Sequence, residues 1–148
     1  MKKTVVGLFV GMILGSIVTG VMVRYYYHNY YGLMLFRCVA NMDNATFSVY
    51  RVGEITAQKQ ALEDLIDTLD DLQQSRELAE DWLKTVSADR GLAHARLGKV
   101  YGMMGDQAKS AHQYALALPL LQKAFPNEAI NSDSDILRIV QKADGYNR

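Results

Sequence analysis

Residues 92–118 read LAHARLGKVYGMMGDQAKSAHQYALAL. Two runs of helix-forming residues flank the pair Gly105 and Asp106. A glycine ends a helix readily, and an aspartate after it caps the next by accepting a hydrogen bond from an orphan backbone N–H. Gly98 in the first run and Ser110 in the second are small enough to let two helix axes approach. Tyr101 and Tyr114 are large enough to fill the space beside that contact. The stretch therefore predicts a helical hairpin with a tight turn at Gly105.

The same residues resemble a tetratricopeptide repeat, a family that pairs two antiparallel helices in units of about 34 residues. Leu97 and Gly98 precede Tyr101, Gly105 stands at the turn, Ser110 takes the small position before Tyr114, and Ala117 and Leu118 follow at the family's spacing. The resemblance implies an α-solenoid domain with a groove that holds a peptide or a helix of another protein. It spans 27 of the 148 residues, and one unit is clear. His94 stands where the family places a large aromatic residue and reads as a helix-packing side chain. Pro119 arrives early and is expected to end or kink the second helix, because it lacks a donor and clashes with the preceding turn. Stacked repeats need about three units for stability, and residues 45–87 do not align at the repeat period.

Upstream, Leu62, Leu65, Ile66, Leu69 and Leu72 follow three-and-four spacing, resumed by Ala79, Trp82, Leu83 and Val86. Two arrangements fit: a helical hairpin turning near Asp70 and Asp71, or one long helix with a coiled-coil seam. Arg76 would fall on that seam, which favours the hairpin. The opposite face carries Glu63, Asp64, Asp67, Asp70, Asp71, Glu77, Glu80 and Asp81 and reads as a solvated surface, with a basic partner as the competing reading. Downstream, Pro126 and Asn127 mark a turn. Residues 132–135 (SDSD) offer caps for a last helix over residues 136–143, stopped by Gly145, which would cover an exposed apolar edge.

At the other end of the chain, residues 4–23 (TVVGLFVGMILGSIVTGVMV) hold no charge. Twenty helical residues span about 30 Å, the thickness of a bilayer's hydrocarbon core. This predicts one transmembrane helix, with a cleaved secretory signal as the competing reading. Gly7, Gly11, Gly15 and Thr19 recur every fourth residue and form a stripe suited to close helix packing, with itself or with a larger membrane partner. Tyr25, Tyr26, Tyr27, Tyr30 and Tyr31 follow as an aromatic belt for the headgroup layer. Lys2 and Lys3 precede the span and Arg24 follows it. That bias favours a cytoplasmic N-terminus and, in a bacterial inner membrane, a periplasmic C-terminal part. Residues 32–42 either lie along the membrane or continue the helix outward, and residues 41–44 (NMDN) read as the break before the soluble part. The expected organisation is an anchor over 1–31, a juxtamembrane linker over 32–44 and a helical domain over 45–148. The expected fold is all-α: one N-terminal transmembrane helix, then a small tetratricopeptide-like domain.

Charge and motif content narrow the function. Net charge is zero. Residues 1–40 carry four basic side chains and no acidic one, and the rest carry twelve basic against sixteen acidic, a net of −4. No basic cluster points to nucleic acid. The single cysteine, Cys38, has no partner for an internal disulfide. His94 and His112 are the only histidines after residue 40, too few for a metal site of the usual ligand number. No phosphate loop, nucleophile elbow or converging carboxylate pair is present, so neither an enzyme nor a bound cofactor is expected. Two classes remain: a membrane-tethered protein-interaction scaffold, and a structural accessory subunit of a multi-subunit membrane complex. Both expect the membrane and another protein as partners, and the glycine stripe allows a homo-oligomer.

Overall fold

The computed structural model describes residues 2–74 and 80–146, without the side chains of residues 2–14, 28, 29, 36, 81 and 146. Among the described residues are five helices and no strand: α1 (Lys2–Val52), α2 (Ile55–Gln74), α3 (Glu80–Met103), α4 (Gln107–Ala124) and α5 (Asp133–Tyr146). The fold is all-α.

Helix α1 has 51 residues, about 76 Å at the usual rise per residue. It passes unbroken through residues 41–44, where the sequence alone predicts a break. The cause is tertiary: Val39, Thr46, Phe47 and Tyr50 are buried against the domain at intervals that keep them on one side of the helix. Packing of that face outweighs the weak helix preference of two asparagines and an aspartate. Of the two paths open to residues 32–42, the helix continues outward. Gly32 is buried beneath Trp82 of α3. The chain reverses after Val52, where the Gly53 N–H donates to the Val49 carbonyl (2.7 Å) and the Gln58 side-chain amide donates to the Gly53 carbonyl (2.7 Å).

Helices α2 and α3 form an antiparallel pair. Glu63 meets Tyr101 at one end, while Asp70 and Gln73 meet Arg90 at the other. The hairpin arrangement therefore holds, but α2 runs on past Asp70 and Asp71 to Gln74. Arg90 ties down that extra turn, pairing with the Asp70 carboxylate and donating to Gln73 Oε1 (2.9 Å). Arg76 and Ala79 lie outside the described residues.

Helix α3 is the spine, because it is buried on two sides. Leu97, Val100 and Tyr101 join Val39 and Phe47 of α1 and Leu62, Leu65 and Leu69 of α2 in one core. Ala95 belongs to a second core with Ala117 and Leu121 of α4, Ile130, and Ile136, Ile139 and Val140 of α5. Each fully buried aliphatic side chain contributes roughly 1.5–3 kcal/mol, so α5 closes the exposed edge of α3 and α4 with three of them.

Two boundaries differ from expectation. Helix α4 does not end at Pro119 but continues to Ala124. Pro119 and Ala115, the residue whose carbonyl loses its helical donor, are both exposed. Helix α5 starts earlier and passes Gly145 to reach Tyr146. Its start is a capping arrangement: the Ser132 hydroxyl donates to Asp135 Oδ2 (2.8 Å), and the same carboxylate accepts from the Asn131 N–H (3.1 Å). Those two hydrogen bonds, that of Ser132 first, hold the Asp135 carboxyl below the usual carboxylate range.

Among the described residues no helix is long and apolar enough to cross a membrane. The greater part of the apolar run, residues 4–14 with Gly7 and Gly11, has side chains outside the described residues.

Candidate functional site

Of the hairpin residues picked out by the sequence, Gly98, Ser110 and Tyr114 meet between α3 and α4, whereas Leu97 and Tyr101 face the core shared with α1 and α2. A Cβ added to Gly98 would lie 2.9 and 3.0 Å from the Tyr114 ring and 3.2 Å from the Ser110 carbonyl oxygen, so the glycine is where the two helices touch. The Ser110 hydroxyl spans the same contact and donates to the Gly98 carbonyl (2.8 Å). Leu97, Tyr101, Tyr114 and Ala117 are all buried. Gly105 has φ +83°, the left-handed conformation that favours glycine, and Asp106 then caps α4 by accepting from the Lys109 N–H (3.1 Å). The Tyr101 hydroxyl reaches across to α2, donating to Glu63 Oε1 (2.7 Å). That bond, made by the protonated phenol, pushes its pKa up to about 12. His94 is buried with Nδ1 2.7 Å from Gln113 Oε1, and burial holds its pKa below the usual value, so the neutral ring is favoured. That environment suits packing.

The feature that sequence reading missed is charged. Arg96, in the middle of α3, is 3% exposed. Its Nε and Nη2 donate to Asp144 Oδ1 of α5 at 3.1 and 2.9 Å, and its Nη1 lies 3.8 Å from Asp43 Oδ1 of α1. The guanidinium sits over the Phe47 ring (5.0 Å) and near that of Tyr50 (5.9 Å). One cation thus joins three helices. Asp89, two turns back on α3, shares its field. Burial and the nearby Asp43 push the Asp89 carboxyl up to about 6, against the pull of Arg96. Burial likewise raises Asp43. One signal for Arg96 is in the sequence, since it lies three residues after Ala93 and four before Val100, on the cadence of the core. Its acidic partners carry none. Asp43 belongs to a segment that reads as a break, and Asp144 lies just past the expected end of the last helix.

Above this cluster, α1, α3 and α5 diverge and leave an open groove of about 740 Å3. Tyr50 and Arg51 form one wall, Lys99 and Met103 of α3 the floor, and Leu137 and Val140 of α5 the far wall, with Gln58 of α2 at one end. Met103 is 60% exposed and Leu137 is 37% exposed. Lys99 Nζ lies 5.8 Å from the Tyr50 ring centroid, and the Arg51 guanidinium 5.6 Å from that of Phe47. No nucleophile stands beside a base here. Among the described residues no His, Cys, Asp or Glu group is arranged to hold a metal ion.

The remaining sequence-predicted residues lie along α1, away from the groove. Tyr25, Tyr26, Tyr27 and Tyr30 are more than 60% exposed and Tyr31 is 38% exposed; Tyr27 and Tyr31 stack one turn apart (6.1 Å). Gly15 has nothing within 4 Å of an added Cβ, and Thr19 is exposed. No family model, curated protein or solved structure matches this chain.

Proposed function

We propose that this protein is a single-pass membrane protein whose tetratricopeptide-like helical domain acts as a protein-interaction scaffold. The observation that carries the reading is the groove, a wide, part-apolar channel whose walls are helices fixed by a buried arginine. A site of that size with exposed apolar and polar side chains but no reactive group is built to bind a segment of another protein. The uncharged run over residues 4–23, with the exposed tyrosines beyond it, supports the anchor. The flanking basic residues support a periplasmic domain on a bacterial inner membrane.

A photo-crosslinking residue tests the reading when placed at Met103, in the groove, and at Asp67, on the exposed face of α2. In native membranes Met103 should give a discrete adduct with another protein that Asp67 does not. Equal adducts, or none, count against a binding groove. Carbonate extraction tests the anchor, and release of the chain into the soluble fraction would refute it.

The alternative, an accessory subunit of a larger membrane complex, draws on α1: Gly15 is open to a neighbouring helix and Thr19 is exposed beside it. Mild detergent extraction separates the two. A stoichiometric large assembly favours the subunit, and a monomer or dimer favours the scaffold.

A further inference from the structure

We infer that the groove takes an acidic, amphipathic segment of a partner protein; this rests on the binding reading above and adds the partner's chemistry. The residues after position 40 carry net charge −4, yet the groove runs against that sign. Its charged lining consists of Arg51, Lys99 and Asp144. The Asp144 carboxylate is already engaged by Arg96 beneath the floor. Among the described residues neither Arg51 nor Lys99 has a carboxylate partner, and each is held near an aromatic ring. Cations steadied in that way lose little freedom on meeting an anion. The exposed apolar side chains beside them are Met103 on the floor and Leu137 on the far wall. The groove therefore offers positive charge at the Arg51 and Lys99 side with oily contacts across the floor.

Other anions fit less well. Tyr50 and Arg51 lie 27 helical residues beyond Val23, roughly 40 Å along α1, so the lipids around the chain's own anchor are out of reach. Nucleic acid would meet the acidic remainder of the domain before it met two cations. A basic segment would set like charges against Arg51 and Lys99. An acidic segment with apolar side chains is complementary to both features at once.

The test uses the full chain in phosphatidylcholine nanodiscs and a random display library of 16-residue peptides. Enriched peptides should combine Asp or Glu with Leu, Ile, Phe or Met. A synthetic copy of an enriched peptide, followed by fluorescence anisotropy, should bind the Arg51→Glu/Lys99→Glu variant at least about tenfold more weakly, and should weaken as salt rises. Both residues are exposed, and a melting curve checks the fold. Lys99→Met keeps the stem over Tyr50 and should give an intermediate loss. Neutral or basic winners that Leu137→Arg displaces would overturn the acidic inference and leave the groove reading standing. Winners indifferent to Leu137→Arg, or no enrichment over empty nanodiscs, would overturn both. Concentration-dependent self-association abolished by Lys99→Glu and restored by Asp67→Lys would make the occupant a second copy and overturn the proposal.

Discussion

Gly98 and Gly102 stand one turn apart on α3, yet a methyl group meets different surroundings at each. At Gly98 it would press on the Tyr114 ring and the Ser110 carbonyl, whereas at Gly102 its nearest neighbour is the Ser110 hydroxyl at 3.4 Å. Gly98→Ala should therefore destabilise the protein by roughly 1–3 kcal/mol through overpacking. Gly102→Ala should stabilise it by up to about 1 kcal/mol through helix propensity. Urea denaturation of the two variants checks this, and equal effects would mean that α3 and α4 do not touch at Gly98. Asp89 makes a second residue-scale prediction. Its folded pKa, about 6, lies above the ordinary 3.8, so the folded state holds the proton more tightly than the unfolded chain. Its contribution to stability should fall as pH rises between about 4 and 6 and stay level above that, by at most roughly 3 kcal/mol. Asp89→Asn removes the dependence, so its advantage over the parent should be larger at pH 7.5 than at pH 4.5. Parallel pH profiles would refute the buried-carboxylate account. Gly98 was legible in the sequence because a small residue opposite a large one is a local pattern. The Arg96 cluster was not, because its partners lie 53 positions upstream and 48 downstream, and only the packing of three helices brings them together.

At the scale of the element, local signals fixed helix type well and helix ends poorly. Residues 41–44, Asp70 with Asp71, Pro119 and Gly145 all read as stops, and each lies inside a helix. The first is overridden by the buried face of Val39, Thr46, Phe47 and Tyr50, the second by Arg90 on Asp70. At Pro119 the override comes from the buried Ala117 and Leu121 on either side. That leaves a cost of about 3 kcal/mol in place, the usual penalty of an interior proline. Pro119→Ala should recover most of it, less roughly 0.4–1 kcal/mol from the looser unfolded chain. A gain of about 2 kcal/mol in chemical denaturation is expected. No gain would mean that α4 already accommodates the ring without strain.

At the scale of the whole molecule, α1 is one uninterrupted helix from the apolar run to the groove wall at Tyr50 and Arg51. An unbroken helix conserves angle as well as distance. The direction in which Gly15 and Thr19 point is geared to the direction in which the groove opens, at about 100° per residue. Inserting one alanine after Tyr27 should turn the membrane segment by about 100° against the groove while adding only about 1.5 Å. Inserting four should add about 6 Å but bring the segment back to within about 40° of its original bearing. Where a membrane neighbour occupies the Gly15 and Thr19 face while a ligand fills the groove, simultaneous cross-links from Thr19 and from Met103 should be lost with one extra residue. Four should largely restore them. Azimuth rather than reach would then decide whether the two partners can be held together, and equal loss in both variants would show that the shaft does not transmit it.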